Sequence, residues 1–144
     1  MKHRIILTTT AILALFVTSS VACDSATATP SPEGAVGAWL SGWESGSATT
    51  LLSNETETFL EFPSAMREEL YDADFAMNNY TITNDQITVD SQSATSAEVI
   101  ATFHIKIVGS DDQIVLEQDN SWFFILVKDN DEWLIASYGD TPAP

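Results

Sequence analysis

Cysteine occurs once in the 144 residues, at Cys23, so the chain can form no internal disulfide and carries no cysteine cluster for a metal. Positive charge is scarce: 5 Lys and Arg stand against 21 Asp and Glu. That balance repels phosphate backbones and anionic headgroups, which excludes nucleic-acid binding and a polybasic membrane contact. Long apolar runs are missing as well. The longest, Ile5 to Val17, is broken by Thr8, Thr9 and Thr10 and falls short of the roughly 20 residues a membrane-spanning helix needs. No glycine-rich phosphate loop and no G-x-S-x-G elbow is present, and the acidic pairs Asp111-Asp112 and Asp129-Asn130-Asp131-Glu132 lack the D-x-[DN]-x-[DN]-G pattern of a calcium loop. They read as solvated turn acids, so neither a metal nor a cofactor is expected.

What is present at the start is an export signal. Met1-Lys2-His3-Arg4 is its charged end, the apolar stretch follows, and small residues precede the cysteine. Ser20-Val21-Ala22-Cys23 resembles the lipobox of bacterial lipoproteins, although Ser20 stands where that family has an aliphatic residue. The resemblance implies a signal peptide over 1–22, lipid (diacylglycerol and a palmitate-like acyl chain) on Cys23, and an anchor on the outer face of the cell membrane. A lone cysteine in an exported chain is a liability unless it carries the lipid. The alternative is cleavage after Ala22 or Ala28 by ordinary signal peptidase, which leaves a secreted protein. Residues 23–32, rich in Ser, Thr and Pro, read as an extended tether. Without the signal, three basic residues remain (Arg67, Lys106 and Lys128), and His104 is the remaining histidine.

Residues 33–139 are a normal single-domain length, and 140–144 a short tail. Ser31 can cap a helix that starts at Pro32, with Val36, Trp39, Leu40 and Trp43 as its apolar stripe and Gly46 as its end. A second helix is predicted over Ala48 to Ser53. Asn54 and Glu57 suggest a capping box for a turn through Phe59 and Leu60. Pro63 opens a last helix carrying Met66, Leu70 and Tyr71. From Tyr80 the period becomes two: Ile82 and Ile87-x-Val89 in extended segments separated by Asn84-Asp85, then Val99, Ala101, Phe103, Ile105 and Ile107 on one face of a long strand. Ile114 to Val127 follows as a strand bulged near Asp119-Asn120, and Asp129 to Asp131 turns it into Trp133 to Tyr138. The fold class is α+β, N-terminal helices packed on a curved antiparallel sheet of three to four strands.

Ser31-Pro32-Glu33, Trp39-Leu40, Gly46, Leu51-Leu52-Ser53, the strand Glu98 to Val108 and Asp131-Glu132-Trp133-Leu134-Ile135 together resemble the nuclear transport factor 2-like superfamily, a cystatin-like α+β cone, and more narrowly its small bacterial lipoprotein branch. The resemblance implies a conical sheet with helices closing over a pocket. It also implies relatives such as ketosteroid isomerase, scytalone dehydratase and polyketide cyclases, which do acid/base work with His, Asp or Tyr inside the cone.

Weighed against that chemistry, His104 falls opposite Phe103 and Ile105 in the alternation and belongs on the outer face, out of reach of a bound substrate. Glu44, Glu61 and Asp74 could be pocket carboxylates, but the sequence does not place them. Trp39, Trp43, Phe103, Trp122 and Trp133 are candidate pocket residues for a small apolar ligand, with simple core packing as the competing role. Trp122 to Val127 is apolar on both faces, and its outward set is a candidate surface for a homodimer or an envelope protein partner. The balance favours a non-enzymatic binding or interaction module with no catalytic residue. The alternative is a small acid/base enzyme of isomerase, dehydratase or cyclase type using a pocket carboxylate.

Overall fold

The structure is a computed structural model describing residues 31–141. The export signal, Cys23, most of the tether and residues 142–144 lie outside the described residues.

Helix α1 runs Pro32–Ser45. Its start is fixed by Ser31, whose Oγ accepts from the Gly34 N–H at 3.1 Å, and by Pro32, whose missing N–H is not needed in the first turn. It stops at Gly46, which takes φ 61° and donates back to the Trp43 carbonyl. Val36, Trp39 and Leu40 are the buried stripe. Helix α2, Ala48–Ser53, crosses closely at Gly42, where a Cβ would lie 2.6 Å from Leu51 Cδ2.

The predicted capping box does not form. Asn54 instead ends α2, donating from its side chain to the Thr50 carbonyl, and the following turn is a 3-10 segment, Phe59–Glu61, without a side-chain cap. Leu60 and Glu61 both have positive φ there, so the backbone turns back on itself and cannot continue as helix. Helix α3, Ser64–Phe75, buries only Tyr71 of the three residues expected on it. Arg67 and Tyr71 are inside, while Met66 and Leu70 are about half exposed, because a buried carboxylate partners the two polar side chains.

Four strands form one antiparallel meander in the order β1-β2-β3-β4: β1 Asn78–Gln92, β2 Ser96–Gly109, β3 Ile114–Asp129 and β4 Glu132–Asp140. The two extended segments predicted around Asn84-Asp85 are one strand with a register shift between Thr83 and Gln86 and Asn84 at φ 57°. The bulge predicted near Asp119-Asn120 lies elsewhere: β2–β3 pairing is regular there, and the shifts occur between Ile107 and Val108 and, toward β4, between Ile125 and Leu126. What changes near Asn120 is the neighbour, since β4 pairs with β3 only from Trp122 onward. Asn130 and Asp131, both at positive φ, make the tight β3–β4 turn, a conformation their short polar side chains tolerate.

The helices pack on one face of this sheet. Val99, Ala101, Phe103, Phe124, Leu126 and Ile135 point toward them and are buried, each large apolar side chain contributing about 1.5–3 kcal/mol relative to exposure. The other face carries Ile100, His104, Phe123, Ile125, Val127 and Leu134, which are partly covered by their neighbours.

Candidate active site in the cone

Between α1 and the concave face lies a cavity of about 170 Å³. Its wall is aromatic and aliphatic: Trp39, Leu40 and Trp43 from α1, Tyr80 and Ile82 from β1, Phe103, Ile105 and Ile107 from β2, and Trp122 and Tyr138 from β3 and β4. Leu116 and Gln118, both exposed, also line it, so the cavity opens toward the first half of β3, the stretch without a β4 partner. Of the candidate pocket residues, Trp39, Trp43, Phe103 and Trp122 are on this wall and Trp133 is not. Trp133 is separate, buried beneath Lys128, whose Nζ sits 5.9 Å from its ring centroid. The rings interlock, mostly edge to face: Trp39 and Trp43 at 5.7 Å, Phe103 and Trp122 at 5.0 Å.

Polar groups on this wall are few. The Tyr80 hydroxyl donates to Asp74 Oδ2 in a short hydrogen bond, and Asn78 Nδ2 donates to Asp74 Oδ1 at 2.8 Å. Burial, then the hydrogen bond to Asp74, raises the Tyr80 phenol well above its ordinary value, so it stays protonated at neutral pH. Gln118 Nε2 donates to Asn120 Oδ1 at 2.7 Å, and Asn120 also lines the cavity. Tyr138 is likewise raised, by burial first and then by the charges of Glu55 and Asp140.

Of the three carboxylates weighed from sequence, Asp74 alone hydrogen-bonds a side chain that lines the cavity, that of Tyr80. Glu44 is exposed and accepts from the Ile82 backbone N–H at 3.0 Å, joining α1 to β1. Glu61 is exposed in the 3-10 turn. His104 is on the outer face, its Nδ1 2.8 Å from Asp119 Oδ1 and its Nε2 3.6 Å from Glu117 Oε1.

The carboxylate that sequence reasoning missed is Glu55. Its side chain is fully buried: Oε1 accepts from Trp39 Nε1 and from the Tyr71 hydroxyl, both at 2.7 Å, and Oε2 accepts from Arg67 Nη1 at 2.9 Å. Arg67 Nη2 donates to the Thr56 carbonyl, and the guanidinium lies 5.4 Å from the Phe59 ring centroid. Glu55 is held by a parallel bridge to Ile135 of β4. It does not line the cavity; it anchors Trp39 from behind, which orients one cavity wall. Nothing in the local pattern marked it, because its partners come from α1 and α3, 12 and 16 residues away. Among the described residues no group of three His, Cys, Asp or Glu is placed to hold a metal, and no helix is long and apolar enough to cross a membrane.

No protein-family model and no curated protein matches the chain. Solved structures do. A ketosteroid isomerase-like protein from Erwinia carotovora atroseptica aligns with a TM-score of 0.62 at 18% identity, over 74% of this chain and 88% of that one. A candidate scytalone dehydratase from Novosphingobium aromaticivorans aligns with a TM-score of 0.56 at 12% identity, over 76% and 85%. A candidate dehydratase of the NTF2-like family from Streptomyces avermitilis aligns with a TM-score of 0.51 at 17% identity, over 76% and 92%. At such identities the likeness shows the fold, which is the NTF2-like α+β cone. The expectation of a non-enzymatic module is corrected by these neighbours, two of which carry dehydratase names.

Proposed function

We propose that the chain is a small acid/base enzyme of the isomerase, dehydratase or cyclase type, acting on a largely apolar ring compound bound in the cone. The observation that carries this is the Tyr80–Asp74 pair: a phenol on the cavity wall whose proton is already directed at a carboxylate. A substrate C–H proton can pass to the Tyr80 oxygen as the phenolic proton passes to Asp74. Tyr80 is then again neutral, Asp74 protonated, and the substrate an enolate-like anion; the reverse sequence returns the proton at another carbon. Positioned acid/base groups of this kind contribute about 10²- to 10⁴-fold. Deuterium exchange at the α-carbon of acetophenone, followed by NMR in D₂O, tests it. Wild type should accelerate exchange and Asp74→Asn should lose most of that acceleration; equal rates would remove the pair from the mechanism.

Its place, on this proposal, is the outer face of the cell membrane, with Cys23 as the lipid attachment point. The signal-like start and the single cysteine support it. Cys23→Ser should then release the chain from membranes, and an intact mass from the native host without added lipid would count against the anchor.

Association through the outer sheet face is a second reading, favoured by Phe123, Ile125, Val127 and Leu134, which are partly exposed there on the face opposite the helices.

A further inference from the structure

We infer that the cavity selects neutral ring compounds bearing a hydrogen-bond-accepting oxygen, which the indole N–H of Trp43 or the side-chain amide N–H of Asn120 would bind, and that it rejects carboxylates and phosphates of the same size. This rests on reading the cavity as the substrate site and names the class of substrate it takes.

Trp43 Nε1 and Asn120 Nδ2 are both buried from solvent, and neither has an acceptor among the described residues. Both residues line the cavity. Buried donors are normally paired because leaving one unmade costs its full desolvation, so two such donors on residues of one mostly apolar wall are candidates for an acceptor supplied by a ligand. The Oδ1 of Asn120 is engaged by Gln118, which leaves the N–H side as the free end. The other tryptophan of α1 on the same wall, Trp39, makes the contrast, for its N–H is satisfied by Glu55.

Charge sets the second half of the selection. No Lys, Arg or His lines the cavity among the described residues. Arg67 is paired with Glu55, Lys128 covers Trp133, and His104 and Lys106 are on the opposite face of the sheet. An anion entering would lose its hydration, meet no cation, and approach the Asp74 carboxylate behind Tyr80. Size sets the third condition, since apolar cavities of about 150 Å³ hold a single benzene ring.

The test is a calorimetric or ligand-observed NMR titration of the full chain with three probes of one ring size: acetophenone, toluene and benzoate. Acetophenone should bind about tenfold more tightly than toluene, and benzoate more weakly than either. Asn120→Leu or Trp43→Phe should bring acetophenone toward the toluene value while toluene binding, which reports an intact cavity, stays within about twofold. Benzoate binding as well as acetophenone, a ketone preference that survives both substitutions, or no binding of any probe would overturn the inference. The acid/base reading fails separately. Selective ketone binding with exchange indifferent to Asp74→Asn would sink the mechanism and leave the ligand class standing; Asp74-dependent exchange with no discrimination against benzoate would do the reverse.

Discussion

Two cation–carboxylate clusters lie on opposite sides of the same sheet. On the helical side, Arg67 and Glu55 pair at 2.9 Å with side-chain exposures of 2% and 0%. On the outer side, His104 sits between Asp119 and Glu117 with exposures of 32%, 92% and 44%. The pairing looks alike and the energetics differ, because water screens the outer cluster and is excluded from the inner one. On the inner side each oxygen of Glu55 is engaged, although Arg67 Nε has no partner among the described residues, and removing a partner of the carboxylate strands a buried polar group. The outer cluster can lose a member and be rehydrated.

The largest expected effect comes from breaking the inner pair. Arg67→Met should destabilise the domain by about 3–5 kcal/mol, and Glu55→Met by a comparable amount, because each leaves the other charge buried and alone. The double variant should be less harmful than the two single changes added together, read from urea unfolding midpoints. Simple additivity would show that the pair acts as two independent packing elements.

A smaller effect, on association rather than on folding, is expected at the outer face of β3, with the inner face as its control. Leu126 is fully buried and Ile125, its neighbour, is partly exposed on the outer face. Leu126→Glu should unfold the domain by placing an unpaired charge in the core. Ile125→Glu should leave the fold intact and weaken association, measured by sedimentation across a concentration series. Equal damage from both would mean that the outer face is as closely packed as the inner.

The smallest effect is on the outer cluster and depends on pH. The hydrogen bond to Asp119, with a further contribution from Glu117, raises the His104 imidazole above its ordinary value of about 6.5 despite some loss of hydration. The protonated form is therefore favoured by folding. Its contribution is fully present below the ordinary value and disappears as pH rises through the raised one. His104→Ala should lower the melting temperature at pH 5.5 and leave it unchanged at pH 9; the same shift at both values would make the histidine a packing residue.

Much of the architecture is legible in the local sequence pattern. The Ser31-Pro32 start, the Gly46 stop, the alternation along β2 and the outward position of His104 are local consequences of capping, period and pleat. The missed features are the non-local ones. Met66, Leu70 and Tyr71 read as the apolar set of α3, yet of these Tyr71 alone is buried and Arg67 lies beside it, since both reach Glu55, which a bridge to β4 helps hold inside. The bulge expected at Asp119-Asn120 was inferred from polar residues in an apolar strand. Those residues are polar because β4 has not yet begun beside them and Asn120 lines the cavity mouth.

The sequence by itself determined the elements, their order and which strand faces are apolar, because capping, φ preference and side-chain period act over a few residues. The cavity, the joining of Asp74 to it through Tyr80, and the burial of Glu55 were decided only when α1, α3 and β4 came together. Those contacts depend on how layers separated by many residues pack, and neighbouring residues carry no record of that.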